Sequence, residues 1–182
     1  ISNSELTDKK VLVSDIIKKA AKELTPTEFE LALNNSNALI LDVRHQDEFA
    51  KYHIPNSIFI GLNGSFAPWV GSVIKNIKQP ILIVSPPEQE KETIIRLARV
   101  GFDNTLGYLK GGINSWINSN KKVEKINQIE AIDLKKLSEL NDLMIFDVRK
   151  QNEHKTEHIS NSLNIPLDFI YNHLDKFPKK NQ

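Results

Sequence analysis

Two Asp-Val-Arg triplets, at 42–44 and 147–149, are the first candidates for chemistry in this sequence. A carboxylate and a guanidinium two residues apart could do acid–base work. In a turn after a strand, however, the fork of an arginine commonly grips such a carboxylate and ties the loop together. That is the reading favoured for Asp42 with Arg44 and for Asp147 with Arg149. His53 and His158 invite a metal. Each stands alone beside an isoleucine with no second ligand at metal spacing, so structural hydrogen bonding is expected and no metal site. Gly111-Gly112 lacks the Lys-Ser/Thr of a nucleotide loop and reads as a turn. Trp69, in Phe66-Ala67-Pro68-Trp69, fits either a contact with another domain, together with Phe66, or core packing. The chain has no cysteine. That excludes, within these residues, a thiolate nucleophile and a disulfide scaffold.

The elements that must position these residues emerge from a self-comparison. Residues 38–60 (ALILDVRHQDEFAKYHIPNSIFI) align without a gap on 143–165 (LMIFDVRKQNEHKTEHISNSLNI) at an offset of 105. Asp42, Arg44, Glu48, His53, Ile54 and Asn56-Ser57 recur as Asp147, Arg149, Glu153, His158, Ile159 and Asn161-Ser162. Each copy reads as an amphipathic helix, a short apolar strand, the Asp-Val-Arg turn, a polar helix and a second strand. The period is too long for a solenoid unit and fits tandem domains.

The first copy continues. Gln79-Pro80 introduces Ile81-Leu82-Ile83-Val84, a run that reads as a strand buried on both faces. Ser85-Pro86-Pro87 breaks it. A helix follows, with Ile94, Ile95, Leu97, Ala98 and Val100 on its apolar face and Gly101 at its end. A short strand is expected around Asn104–Leu106, then the Gly111-Gly112 turn and a helix carrying Trp116. Alternating strands and helices imply an α/β fold on a parallel sheet. Residues 1–22 read as a helical lead-in, with Val13, Ile16, Ile17, Ala20 and Ala21 facing the domain and Lys18, Lys19 and Lys22 opposite. The expected division is 1–22 lead-in, 23–118 a complete domain, 119–127 a solvated linker through Lys121-Lys122, and 128–182 the front half of a second domain. The partner of Pro80 would be residue 185, and the first residue is Ile1 and not Met. The chain is therefore expected to be a fragment of a longer polypeptide.

Composition bounds the partners. Lys plus Arg number 24 and Asp plus Glu 23, for a net charge of +1. Such balance gives no electrostatic case for nucleic acid. No apolar run approaches the roughly 20 residues that span a bilayer, and no signal peptide is visible. A cytoplasmic protein is expected, with no membrane partner.

With these pieces in order, the sequence resembles the rhodanese-like family, the sulfurtransferase fold. The matching residues are Leu41-Asp42-Val43-Arg44, Glu48-Phe49, His53-Ile54-Pro55-Asn56-Ser57, and Leu109-Lys110-Gly111-Gly112 with Trp116. They cover 24–118 and, in the second copy, 129–167. Phe66-Ala67-Pro68-Trp69-Val70-Gly71 and Leu97–Asn104 are further similar to the tandem rhodanese region of metallo-β-lactamase-fold fusion proteins. Such fusions are persulfide dioxygenases or related sulfur-handling enzymes. This likeness implies a metallo-β-lactamase-fold domain of the same polypeptide as partner. It also implies a mononuclear iron or zinc in that domain, none being expected in this chain.

The resemblance places the family's reactive loop at Ser85-Pro86-Pro87-Glu88-Gln89-Glu90. A rhodanese site needs a cysteine thiolate, a cradle of backbone N–H groups and a helix N-terminus that favours the anion and lowers the thiol pKa. Ser85 stands at the cysteine position, and a hydroxyl cannot form a persulfide. Pro86 and Pro87 remove two N–H donors. Glu88, Glu90 and Glu92 repel an anion but suit the start of a helix. The first copy is therefore expected to be catalytically silent. Any sulfane-sulfur transfer would use a cysteine beyond residue 182. The other reading is an inactive pair serving as an interaction or dimerisation module, with homo-oligomers as its expected form.

Overall fold

In a computed structural model, the protein is described over residues 18, 20–140 and 143–178. It divides into two compact units, 1–128 and 129–182. Val13, Ile16, Ile17 and Lys19 of the expected lead-in helix lie outside the described residues. Ala20 is buried in the core of the first unit, with Ala21 packed against it.

The first unit is built on a five-stranded parallel sheet. Its strands are β1 (Glu23–Leu24), β2 (Leu39–Asp42), β3 (Ile58–Phe59), β4 (Ile81–Val84) and β5 (Thr105–Leu109), in the spatial order β1-β5-β4-β2-β3. Helices α1 (Pro26–Asn35), α2 (Gln46–Lys51), α3 (Phe66–Val73), α4 (Glu90–Arg99) and α5 (Gly112–Asn118) alternate with them. The α/β parallel fold expected from the sequence is present.

Side chains alternate across a strand, and the two faces of this sheet sort accordingly. Leu41, Val43, Ile81 and Ile83 pack with Phe66, Val70, Ile94 and Leu97 on one face. Ile40, Leu82 and Val84 pack with Phe29, Ile54, Leu109 and Trp116 on the other. All four residues of β4 have no exposed surface. Each contributes roughly 1.5–3 kcal/mol of burial. Phe29 and Trp116 meet edge-on, ring centroids 5.9 Å apart, and lock α1 to α5.

Local signals fix the ends. Thr25 caps α1 in a capping box with Glu28, and Pro26 occupies its first turn, where a missing N–H costs nothing. The β5 strand is longer than the sequence pattern implies, and its pairing with β4 skips Leu106 between Thr105 and Gly107. A side chain at Gly107 would come within 2.6 Å of the Lys22 carbonyl oxygen, so edge strand β1 lies against it.

The stretch 119–127, expected as a linker, is held on the first unit. His53 and Glu124 exchange backbone hydrogen bonds of 2.9 and 2.8 Å, and the Ile126 amide donates to the Ala50 carbonyl at 2.8 Å. The Trp116 indole donates to the Lys122 carbonyl at 2.9 Å. The Lys121 ammonium pairs with Glu30 and lies 5.3 Å from the Trp116 ring centroid, so it is not a solvated linker lysine.

The second unit holds α6 (Ala131–Leu140), β6 (Phe146–Asp147), α7 (Gln151–Thr156), β7 (Leu163–Asn164) and a 3-10 segment, Leu167–Lys176. Strands β6 and β7 pair in parallel, Phe146 with Leu163 and Asp147 with Asn164. This repeats the pairing of Leu41 with Ile58 and Asp42 with Phe59, 105 positions earlier.

Candidate functional site

The chain turns from one side of the sheet to the other between β2 and β4. In open α/β sheets, ligands bind at such a switch point, outside the carboxyl ends of the strands. A cleft of about 300 Å³ lies there in the first unit, lined among others by Arg44, His45, Phe59, Asn63, Pro86 and Gln89.

Arg44 reaches Asp42 through Nε to both carboxylate oxygens at 3.0 and 3.1 Å, and through Nη2 at 2.6 Å. The same Nη2 donates to the Tyr52 carbonyl at 2.8 Å. The pair therefore clamps the turn after β2 to the end of α2. Arg149 repeats the arrangement on Asp147 and the Glu157 carbonyl, with Nη2 distances of 2.6 and 2.9 Å. Each triplet thus holds an ion pair within its own turn.

His53 Nδ1 lies 2.9 Å from the Phe49 carbonyl and its ring stacks on Phe49 at 4.2 Å. His158 Nδ1 lies 2.8 Å from the His154 carbonyl, and those two rings stack at 4.1 Å. Both histidines fix the turn that follows a short helix. The Asn-Ser steps after them match as well: Asn56 and Asn161 adopt left-handed φ of 62° and 65°. Asparagine tolerates that conformation better than bulky residues. Among the described residues, no group of three or more His, Cys, Asp or Glu is placed to hold a metal.

The loop after β4 departs from an anion cradle at each step. Ser85 is buried, and the Gln89 amide folds back on the Pro86 carbonyl at 3.3 Å. Glu88 sits at φ 67°, outside the helix. Glu88 was expected to start α4; the left-handed turn after Pro87 places it in the loop. Gln89 occupies the N-cap without a side-chain bond, and Glu90 and Glu92 fill the first turn. Their charges meet the positive end of the helix dipole that an anion would otherwise use. Pro86 and Pro87 have no N–H to offer. Gly111 and Gly112, both at positive φ, begin α5, and an added Cβ on Gly112 would lie 3.5 Å from the Ser85 carbonyl. The structure thus brings Ser85–Glu90 and Gly112 together beside the Arg44 clamp. Trp116 faces the core instead.

Phe66 was grouped with Trp69 as an interdomain contact. Phe66 is buried in the core, because it and Val70 share the inward face of α3, so its ring is not offered to another domain. Trp69 is partly buried against the same cluster.

The two aspartates move in opposite directions. Burial pushes the Asp42 carboxyl above its ordinary value, against the pull of Arg44. The hydrogen bonds from Arg149 hold Asp147 at about 2, below the ordinary 3.8. A lowered folded pKa contributes stability that is present above roughly pH 4 and lost as the pH falls towards 2; a raised one contributes below roughly pH 4 and is lost as the pH rises through the raised value. Acid titration followed by amide exchange is expected to loosen the Arg149 turn, with a modest rise in exchange of the amides around 147–158 between those limits. Asp147→Asn should abolish that rise, and an unchanged profile in that variant would contradict the assignment.

Comparison with known proteins follows the same division. The Rhodanese-like domain family matches residues 25–119 and again 130–182. The uncharacterized protein YibN of Escherichia coli K12 is 29% identical over 100 residues, 54% of this chain and 69% of YibN. Among solved structures, the Alr3790 protein from Anabaena sp. is similar with a TM-score of 0.48 and 18% identity, over 64% of this chain and 90% of that one. The thiosulfate sulfurtransferase from Pseudomonas aeruginosa is similar with a TM-score of 0.47 and 17% identity, over 87% of this chain and 36% of that one.

Proposed function

The chain belongs to the Rhodanese-like domain family, and we propose that its first unit is a catalytically silent copy within a larger sulfur-metabolism protein. The observation that carries this is the loop Ser85–Glu90. It keeps the strand-to-helix geometry and the Asp42–Arg44 clamp beside it, and lacks the nucleophile and two N–H donors. We place the domains at 23–118 and 128–182. We read the parent as a persulfide dioxygenase or sulfurtransferase of the cytoplasm that carries a metallo-β-lactamase-fold domain; that reading rests on the 66–71 and 97–104 segments.

In such a protein the sulfur-carrying group would be a cysteine in the loop of the second copy, beyond residue 182. Its thiolate would attack the sulfane sulfur of thiosulfate. The S–S bond breaks, sulfite leaves with the bonding pair, and a cysteine persulfide forms. An acceptor thiolate then takes the outer sulfur and regenerates the cysteine thiolate. The part left to the first unit is scaffolding: the Arg44 and Arg149 clamps hold equivalent turns in both copies.

The 182-residue chain is expected to form no thiocyanate from thiosulfate and cyanide above a heat-denatured control. Turnover by that chain would overturn the silent assignment. An inactive pair serving as an interaction module is the outcome if the longer protein is equally inert.

A further inference from the structure

The bridge from strand β3 to helix α3 is pinned at both ends and free between them. At one end the Leu62 amide donates to the Val43 carbonyl at 3.1 Å, and the Leu62 carbonyl accepts from Arg96 Nη1 at 2.8 Å. At the other end Phe66 is 2% exposed in the core. Asn63, Gly64 and Ser65 between them are exposed. Among the described residues, neither the Asn63 carboxamide nor the Gly64 amide makes a hydrogen bond. Gly64 sits at φ 97°, and an added Cβ there would meet nothing within 4 Å.

Asn63-Gly64 is the sole Asn-Gly step in the sequence. The carboxamide carbon of an asparagine is an electrophile, and the next backbone nitrogen can close a five-membered ring on it. Two restraints oppose that closure: a side chain on the following residue, and a hydrogen bond that holds its N–H. Glycine removes the first. The Asn-Ser steps at 56–57, 118–119 and 161–162 keep the second. The Ser57 amide donates to the Ile54 carbonyl at 3.2 Å, Ser119 to Ser115 at 3.1 Å and Ser162 to Ile159 at 3.0 Å. Gly64 has neither restraint.

We propose that Asn63 is a site of spontaneous covalent modification, passing through a succinimide to aspartate and isoaspartate. Hydroxide takes the proton of the Gly64 amide, and the nitrogen attacks Cγ of Asn63. The N–Cγ bond forms, the Cγ–Nδ2 bond breaks, and the carboxamide nitrogen leaves as ammonia with a proton from water. Water then opens the ring at either carbonyl. One water enters and one ammonia leaves, with nothing oxidised or reduced. The net charge of the chain falls from +1 to zero. Asn63 lines the cleft together with Arg44, Phe59 and Gln89, so the new carboxylate enters that lining. The isoaspartate product also adds a methylene to the main chain, three residues before Phe66. The inference rests on this loop and is independent of any sulfur chemistry.

The test is incubation of the 182-residue chain in mildly alkaline buffer, followed by peptide mass mapping and ion exchange. The peptide holding Asn63 is expected to gain about 1 Da ahead of every other asparagine peptide, with aspartate and isoaspartate both present at 63. An acidic ion-exchange peak should grow at the same rate, and Asn63→Gln should remove it. Ser57→Gly creates a second Asn-Gly step, whose nitrogen is held by the Ile54 carbonyl. In that variant Asn56 should convert at least about 10-fold more slowly than Asn63 while the chain is folded, and as fast as Asn63 in denaturant. Equal rates in the folded variant would overturn the part assigned to the free Gly64 amide. Conversion of any other asparagine of the unaltered chain ahead of Asn63, or an unchanged mass at 63, would overturn the proposal.

Discussion

Asp42→Ala is expected to destabilise the first unit by about 3–5 kcal/mol, the loss typical when one partner of a buried ion pair is removed. Asp42 has no exposed surface and Arg44 only 5%. Deleting the carboxylate leaves a buried guanidinium that still donates to the Tyr52 carbonyl but has lost its counter-charge. Removing both charges together, as in Asp42→Leu with Arg44→Met, should recover most of the loss, because no unpaired charge remains. Both tryptophans, Trp69 and Trp116, lie in the first unit, so their fluorescence reports its unfolding by denaturant alone. The matching Asp147→Ala should cost far less, since the Arg149 side chain is 48% exposed and water can take the place of the carboxylate. Equal losses at the two positions would show that the pairs are not distinguished by burial.

The second large effect concerns the loop after β4. Ser85→Cys alone is expected to give no sulfur transfer from thiosulfate, because a thiol in this loop meets the remaining obstacles. Pro86 and Pro87 offer no N–H to the anion, and Glu90 and Glu92 oppose both the anion and the thiolate at the helix start. Adding Pro86→Gly, Pro87→Gly, Glu88→Gly and Glu90→Gln to Ser85→Cys should raise thiocyanate formation by at least about 100-fold, the scale of restoring one or two anion-binding amides. Thermal melts of each variant separate loss of fold from lack of chemistry. If Ser85→Cys alone turns over as fast as the rebuilt loop, the prolines and glutamates are not what silences the site.

Much of this was legible in the sequence. The 105-residue repeat carried the Asp–Arg turns and the histidine turns in one step, because each depends on residues close in the chain, whereas the left-handed φ of Asn56 and Asn161 required the backbone. The run Ile81–Val84 announced a strand buried on both faces. Helix α3 was hidden: Pro68 and Gly71 argue against it by propensity, and burial of Phe66, Val70 and Ile74 at helical spacing overrides them. Strand β1 is two residues long and exists through its pairing with Tyr108 and Leu109, a contact that no local pattern encodes. The 119–127 stretch looked like a polar linker. Its attachment depends on the backbone of His53, some 70 residues away, and on an indole partner for Lys122. The residues of the loop after β4 were legible one by one, although the position of Glu88 outside α4 required the backbone.

Sulfur chemistry, if the parent performs it, is proposed to lie outside these residues. The most direct measurement is peptide mass mapping of the protein from its native gene after incubation with thiosulfate, with persulfides trapped by alkylation. A persulfide is expected on a cysteine of the loop proposed to follow residue 182, with loss of both that adduct and thiocyanate formation when that cysteine is replaced by serine. A protein that transfers sulfur with that cysteine replaced, or one that takes up no sulfur on the second copy at all, would contradict that proposal.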